Sequence, residues 1–266
     1  MMRRILILSA VFLVSTPAGH AWAQASALTV DEIVAKANLA SYYAGDDGLS
    51  DVAMTITDSQ GRQRVREFRI LRKDITDGGE QRFYVYFQKP ADVAKMVYMV
   101  WKQLDREDDR WLYLPALDLV RRIAASDKRS SFVGSHFVYE DVSGRSPDAD
   151  VHELVDDSGE FYKLKNTPKD PAGLEFAYYT VQIRKDNFLP VRAVYYDAQG
   201  REIRSIEALR IEDIGGYPTV VSSKAVDLAR GGETTMSFSD VRYDAGLGED
   251  IFAERYLRRP PVQWVK

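Results

Sequence analysis

The chain has 266 residues with 36 Lys and Arg against 40 Asp and Glu, three His and no Cys. The acidic balance favours neither nucleic acid nor an anionic membrane surface as the main partner. The missing cysteines exclude disulfides, thiolate catalysis and zinc-thiolate sites.

The first residues read as an export signal. Arg3 and Arg4 form a basic start, Ile5 to Val14 a short apolar run, and Ala21-Trp22-Ala23 a small-x-small cleavage site before Gln24. The run falls well short of the roughly 20 residues that span a bilayer. No Cys follows it, so the mature chain is not expected to be lipidated there. Removal of residues 1–23 takes Arg3 and Arg4 with it and leaves 34 basic against 40 acidic side chains. The remainder, 24–266, is expected to fold as one domain in the periplasm, as a monomer.

One helix is signalled next. Thr29-Val30-Asp31-Glu32 has the pattern of a capping box, with Leu28 and Ile33 spaced as a hydrophobic staple. Val30, Ile33, Val34, Ala37 and Ala40 follow at helical spacing, predicting a helix over 30–42 with one apolar stripe.

After Gly48 the texture is that of strands rich in Val, Ile, Thr, Tyr and Phe. Strands are predicted at 50–57, 62–72, 81–88, 96–102, 110–114, 161–165, 175–184, 191–197, 202–211, 218–228 and 233–241. The turns DSQGRQ (58–63) and DAQGRE (197–202) are near copies, in which Asp starts a turn and Gly takes the left-handed position. This spacing predicts a mainly β fold with few helices (α+β): a strongly curved antiparallel sheet.

Several strands do not alternate. Phe83-Tyr84-Val85-Tyr86-Phe87 is apolar on both faces, as are Met96 to Trp101 and Phe176 to Tyr179. Such a sheet is covered on both sides or curls around an apolar interior. Composition alone favours a plain aromatic core. Against that, one helix of three turns is too small to cover a whole side of so large a sheet.

Between Leu117 and Val155 the strand pattern lapses. A loop is predicted, with a short helix near 148–155. A connection this long inside a domain is usually a lid or binding loop. No nucleophile elbow, phosphate loop or dinucleotide fingerprint occurs. Ser131 and Ser135 near His136 do not form a recognised hydrolase pattern, and His136, Glu140, Asp141 and His152 match no metal-ligand spacing. No catalytic residue, cofactor or metal is expected.

Trp111 to Asp141 reads WLYLPALDLVRRIAASDKRSSFVGSHFVYED. This stretch resembles the signature of the outer-membrane lipoprotein-sorting protein family, whose members are similar to the periplasmic lipoprotein carrier. The family pattern runs roughly W-x-Y-x-P-A-L, then V-R-R-I, then S-F-x-G-S-D-F-x-Y-E-D. His136 stands where the family usually has Asp. The resemblance implies an open half-barrel covered by the N-terminal helix and a lid, with a lipid or lipoprotein acyl chains as cargo. It also implies a possible inner-membrane partner, a transporter of the resistance-nodulation-division type that the protein could serve as an accessory. The cavity and lid are then expected to use Phe83, Val85, Phe87, Val97, Met99, Trp101, Leu117, Phe132, Phe137 and Tyr178. Phe83, Val85 and Phe87 share one strand face, with Tyr84 and Tyr86 opposite. Arg121 is expected either to gate the lid, by hydrogen bonds to backbone carbonyls that release when a lipid enters, or to lock the loop permanently through an ion pair with Glu140 or Asp141. Arg122 is expected at the surface.

Overall fold

Thr29 caps helix α1 (Val30–Tyr42) with its side chain on the Glu32 N–H, while the Glu32 carboxylate accepts from the Thr29 N–H at 2.7 Å. The computed structural model describes residues 28–76 and 78–266; the expected export signal, 1–23, lies outside them. Ile33 and Ala37 are the buried residues of the stripe.

Thirteen strands follow: β1 (Asp47–Thr57), β2 (Gln63–Asp74), β3 (Gln81–Lys89), β4 (Val97–Lys102), β5 (Asp109–Leu114), β6 (Leu119–Arg122), β7 (Asp150–Asp156), β8 (Phe161–Pro168), β9 (Tyr178–Arg184), β10 (Pro190–Tyr196), β11 (Glu202–Ile214), β12 (Tyr217–Asp227) and β13 (Glu233–Tyr243). They form a single antiparallel sheet in the order β6-β5-β4-β3-β2-β1-β13-β12-β11-β10-β9-β8-β7. The sheet does not close, so the architecture is the expected open half-barrel with few helices. The twin turns are built alike. Asp58 Oδ1 accepts from the N–H groups of Gln60 and Arg62 at 2.9 and 3.0 Å, and Asp197 Oδ1 from those of Gln199 and Arg201, both at 2.9 Å. Gly61 and Gly200 follow at φ 79° and 75°, a conformation that costs a side-chain-bearing residue energy.

Because β6 and β7 lie at opposite edges of the sheet, the chain between them must cross its concave side. Residues 123–149 do this and carry the short helix α2 (Tyr139–Ser143). Two elements of this region differ from expectation. Residues 148–155 place Val151, Leu154 and Val155 at helical spacing, yet they form edge strand β7, because β8 offers an open ladder that pairs His152 with Asn166 and Leu154 with Leu164. The four-residue strand β6 was not predicted either; two of its four residues are charged.

The two-sided strands are covered on both sides. On the concave face Val52, Met54, Phe68, Phe83, Val85, Phe87, Tyr98 and Val100 pack with Phe132, Phe137 and Tyr139 of the crossing segment. On the convex face Leu71, Tyr84, Val97, Met99 and Trp111 pack under the C-terminal segment, including Phe252, Leu257 and Val265. That segment holds α3 (Arg255–Arg258) and α4 (Val262–Val265). Tyr84 Oη donates to the Tyr256 carbonyl at 2.8 Å, and Trp101 Nε1 to that of Phe252 at 2.9 Å. Asp47 fixes its beginning by accepting from the N–H groups of Ala245 and Leu247, both at 2.7 Å.

Candidate functional site: a lidded cavity

Alternation decides which side chains point inward. Phe83 pairs with Val100 and Val85 with Tyr98, whereas Tyr84 pairs with Met99 and Tyr86 with Val97. Cross-strand partners share a face. Phe83, Val85 and Phe87 are therefore on the concave face. Val97, Met99 and Trp101 are on the convex face under the C-terminal segment, which corrects their expected place in the cavity. Tyr178 is also displaced: it stacks on Tyr196 at 4.7 Å, while its neighbour Tyr179 faces inward. Leu117 is 70% exposed and covers nothing.

A cavity of about 540 Å³ lies between sheet, α1 and lid. That size falls within the range of ligand pockets. Under β2 to β4 part of the space is taken by Phe132. Its ring stands 5.5 Å from Tyr98, 5.7 Å from Tyr139, 5.9 Å from Phe87 and 6.1 Å from Phe68. Around Phe132 a plain aromatic core forms. The cavity extends against Val34 and Ala37 of α1, Val181, Ala193, Ile206, Ala208 and Phe238. Phe83, Val85, Phe132 and Phe137 line it; Phe87 lies behind them in the core.

One end of the cavity is charged. Arg129, Glu140, Asp141 and Arg145 of the lid all line it. Arg129 Nη1 donates to Glu140 Oε2 at 3.2 Å, and its other nitrogens reach Glu175. Arg145 forks onto Asp150 at 2.8 and 2.9 Å and touches Glu140 at 3.4 Å. Asp150 also accepts from Tyr179 Oη at 2.7 Å. Asp141 caps α2 by accepting from the Val138 N–H at 2.7 Å, and it pairs with Arg204 of β11. The arginines lie over aromatic faces: Arg129 is 5.0 Å from the Phe176 ring centre, and Arg204 is 5.0 Å from that of Tyr195. Burial disfavours the Arg129 charge, but the Glu175 hydrogen bond and the nearby acidic groups more than offset this, so it stays ionised. Glu175 is likewise opposed by burial yet held below the usual carboxylate range by Arg129. Lys102 donates to the Ser143 carbonyl at 2.9 Å, placing a cation at the C-terminus of α2.

These contacts replace the lock expected of Arg121. That residue is 61% exposed and reaches only Asp127, at 3.4 Å. Glu140 and Asp141, its expected partners, belong to Arg129, Arg145 and Arg204. Arg122 is at the surface as expected, over the Trp111 ring and paired with Asp109. The three locking arginines stand singly in the sequence, so no motif revealed them; the Glu140-Asp141 pair that ends the signature was the only hint. His136 takes its place through Thr234, whose Oγ1 lies 2.8 Å from His136 Nδ1. The Ser131 hydroxyl donates to the Ser135 carbonyl at 2.6 Å and Ser135 Oγ to that of Phe137, so neither is directed at His136. Among the described residues no cluster has metal-binding geometry.

The fold is that of lipoprotein-sorting proteins. A putative outer membrane lipoprotein-sorting protein domain from Vibrio parahaemolyticus superposes with a TM-score of 0.77 at 24% identity, covering 86% of this chain and 97% of that one. A LolA superfamily protein from Nitrosomonas europaea gives 0.67 at 18% identity, over 86% and 100%. A family model described as "uncharacterized protein" matches residues 79–259. A DUF1329 family protein from Desulfovibrio piger is 32% identical over 86% of this chain and 97% of that one, with a TM-score of 0.75. The chain belongs to the DUF1329 family. No curated protein matches it.

Proposed function

We propose that the protein is a non-enzymatic periplasmic carrier that shields a lipid, or the acyl chains of a lipoprotein, on the way to the outer membrane. The observation that carries this is the cavity of about 540 Å³, apolar along α1 and the inner strands and charged at one end. Each methylene kept from water contributes about 0.8 kcal/mol, so an acyl chain crosses an aqueous gap only under such a cover. The charged end suits the polar part of an amphiphile. Cargo contacts fall to Phe83 and Phe137 on one side and to Ile206, Ala208 and Phe238 on the other, with Val85 and Phe132 as the packed wall behind them. The likeness to lipoprotein-sorting folds supports the same reading.

The test is native mass spectrometry and solvent extraction of protein recovered from a periplasmic extract. A stoichiometric acyl-bearing molecule, on a chain beginning at Gln24, is expected. A ligand-free protein that co-purifies with an inner-membrane transporter would instead assign it an accessory role.

A further inference from the structure

The ladder between β12 and β13 is only half made. Paired residues run from Val226 with Glu233 to Ser222 with Ser237 and stop there. Yet β12 continues back to Tyr217 against β11, and β13 continues to Tyr243 against β1. Three irregularities coincide at this level. Leu49 pairs with Arg242 and Asp51 with Ser239, so β13 carries an extra residue, and its Asp240 has φ 50°. Such a bulge bends a strand away from its neighbour. The β11–β12 register slips between Ala208 and Ile211. Pro218 has no N–H to offer across the gap.

The parted strands belong to the cavity wall: Thr219, Val220, Phe238, Val241 and Tyr243 line it. At the far end the gap is bridged by three contacts, one of them the Tyr217 hydroxyl donating to the Asp244 carboxylate at 3.4 Å. The hydroxyls of Thr219 and Tyr243 are 2.8 Å apart, and the rings of Tyr217 and Tyr243 are 4.9 Å apart. The lid is fastened quite differently, by Asp141 with Arg204, Glu140 with Arg129 and Arg145, and Lys102 with the Ser143 carbonyl. Lifting it would strand largely buried charges, a heavy cost. Parting the seam breaks one neutral hydrogen bond, one long exposed phenol–carboxylate contact and one ring contact, a smaller cost.

We propose that an acyl chain enters and leaves the cavity sideways, through the seam between β12 and β13, with Thr219 and Tyr243 as its latch, while the lid stays shut. The inference rests on the carrier reading and adds the route. Strand edges without ladder partners give the seam polar lips over an apolar interior. That arrangement fits an amphiphile whose polar end stays at the wall while its chain lies inside.

Because the chain has no cysteine, introduced thiols are unique. Thr219→Cys with Tyr243→Cys, joined by a short reducible bis-thiol linker, closes the seam. His136→Cys with Thr234→Cys, joined the same way, ties the lid to β13 at a neutral contact outside the cavity lining. Uptake of a fluorescent long-chain fatty acid by the full mature chain is then followed by stopped flow. Joining the seam should block uptake until a reductant cuts the linker, whereas joining the lid should leave the rate unchanged. Tyr243→Phe, which keeps the ring but loses the hydroxyl, should speed uptake about two- to tenfold, the range of one neutral hydrogen bond. Free uptake through a joined seam, a block by the joined lid alone, or an unchanged rate in Tyr243→Phe each overturns the lateral route. If the unaltered protein takes up no fatty acid, the carrier reading itself has failed and the route falls with it.

Discussion

Arg204 on β11 donates to the Asp141 carboxylate in the lid, joining two residues 63 positions apart. The same guanidinium donates to the His136 carbonyl at 3.3 Å, so one side chain ties down both the turn before α2 and the helix itself. Arg204→Leu leaves Asp141 charged and poorly paired in a largely buried site. The expected loss of unfolding free energy is about 3–5 kcal/mol. The double variant Arg204→Leu with Asp141→Leu should recover a good part of it. Urea unfolding of the three variants measures this, and additive losses would mean that the pair is not coupled.

Arg121→Leu should be nearly silent. The side chain is exposed and its single partner, Asp127, is also on the surface. Pairs of this kind are worth about 0–1 kcal/mol. Arg129→Leu should behave oppositely, because Arg129 is 6% exposed and joins Glu140 to Glu175. A thermal shift for Arg121→Leu as large as that for Arg129→Leu would return the lock to the signature arginine.

A carboxylate placed on the inner face should act differently in the two halves of the sheet. Val85 is fully buried against the aromatic cluster, so Val85→Glu should cost several kcal/mol and largely unfold the chain. Ile206 is half-buried and lines the cavity. Ile206→Glu should keep the fold and lose acyl binding. Circular dichroism paired with fluorescent fatty-acid titration separates the outcomes; equal unfolding of both variants would count for a filled interior throughout.

Alkaline pH should destabilise the protein. Burial raises the phenol of Tyr43 to about 12, and it lifts Tyr42, Tyr84 and Tyr98 well above the usual tyrosine range. A phenol whose pKa is higher in the folded state holds its proton longer there. Its contribution is complete below the unfolded value of about 10 and is lost as pH rises through the folded value. Lys102 runs the other way, since burial depresses its ammonium. Folding is opposed while Lys102 is charged, and stability recovers as pH rises from its folded value toward the unfolded value of about 10.4. Four phenols outweigh one amine, so the melting temperature should fall between about pH 10 and 12. Melts across that range test this, and a flat profile would falsify it.

Much of the scaffold was legible because its signals are local. The box at Thr29 and Glu32 needs no partner elsewhere, and the twin Asp-x-Gln-Gly turns carry their own hydrogen bonds, so α1 and most hairpins could be read. Strand β7 could not, because Val151, Leu154 and Val155 follow helical spacing and only the free edge of β8 makes the segment extended. The face of β4 was misjudged for a related reason. Val97, Met99 and Trp101 are as apolar as the inward residues, and their cover comes from Phe252 and Leu257, far along the chain. The lid lock eluded sequence reading because Arg129, Arg145 and Arg204 converge only in three dimensions. Phe83 and Val85 could be placed because their strand is apolar without interruption, whereas Phe132 and Phe137 were reached through the signature segment that carries the family resemblance.

Every adjacent pair of strands but one is consecutive in the chain, and the exception is β1 with β13. A ring of sequence cut within residues 123–149 and rejoined end to end would therefore be a plain meander from β7 through β13 and β1 to β6. The natural order instead gives the middle of the wall to the first and last strands, whose meeting must close nearly the whole polypeptide. Long-range closure of this kind slows folding. It also sets a sequence of events: while β13 is still being made, there are two half-shells and no enclosed space. A carrier of the kind proposed above would therefore be loaded only once its chain is finished.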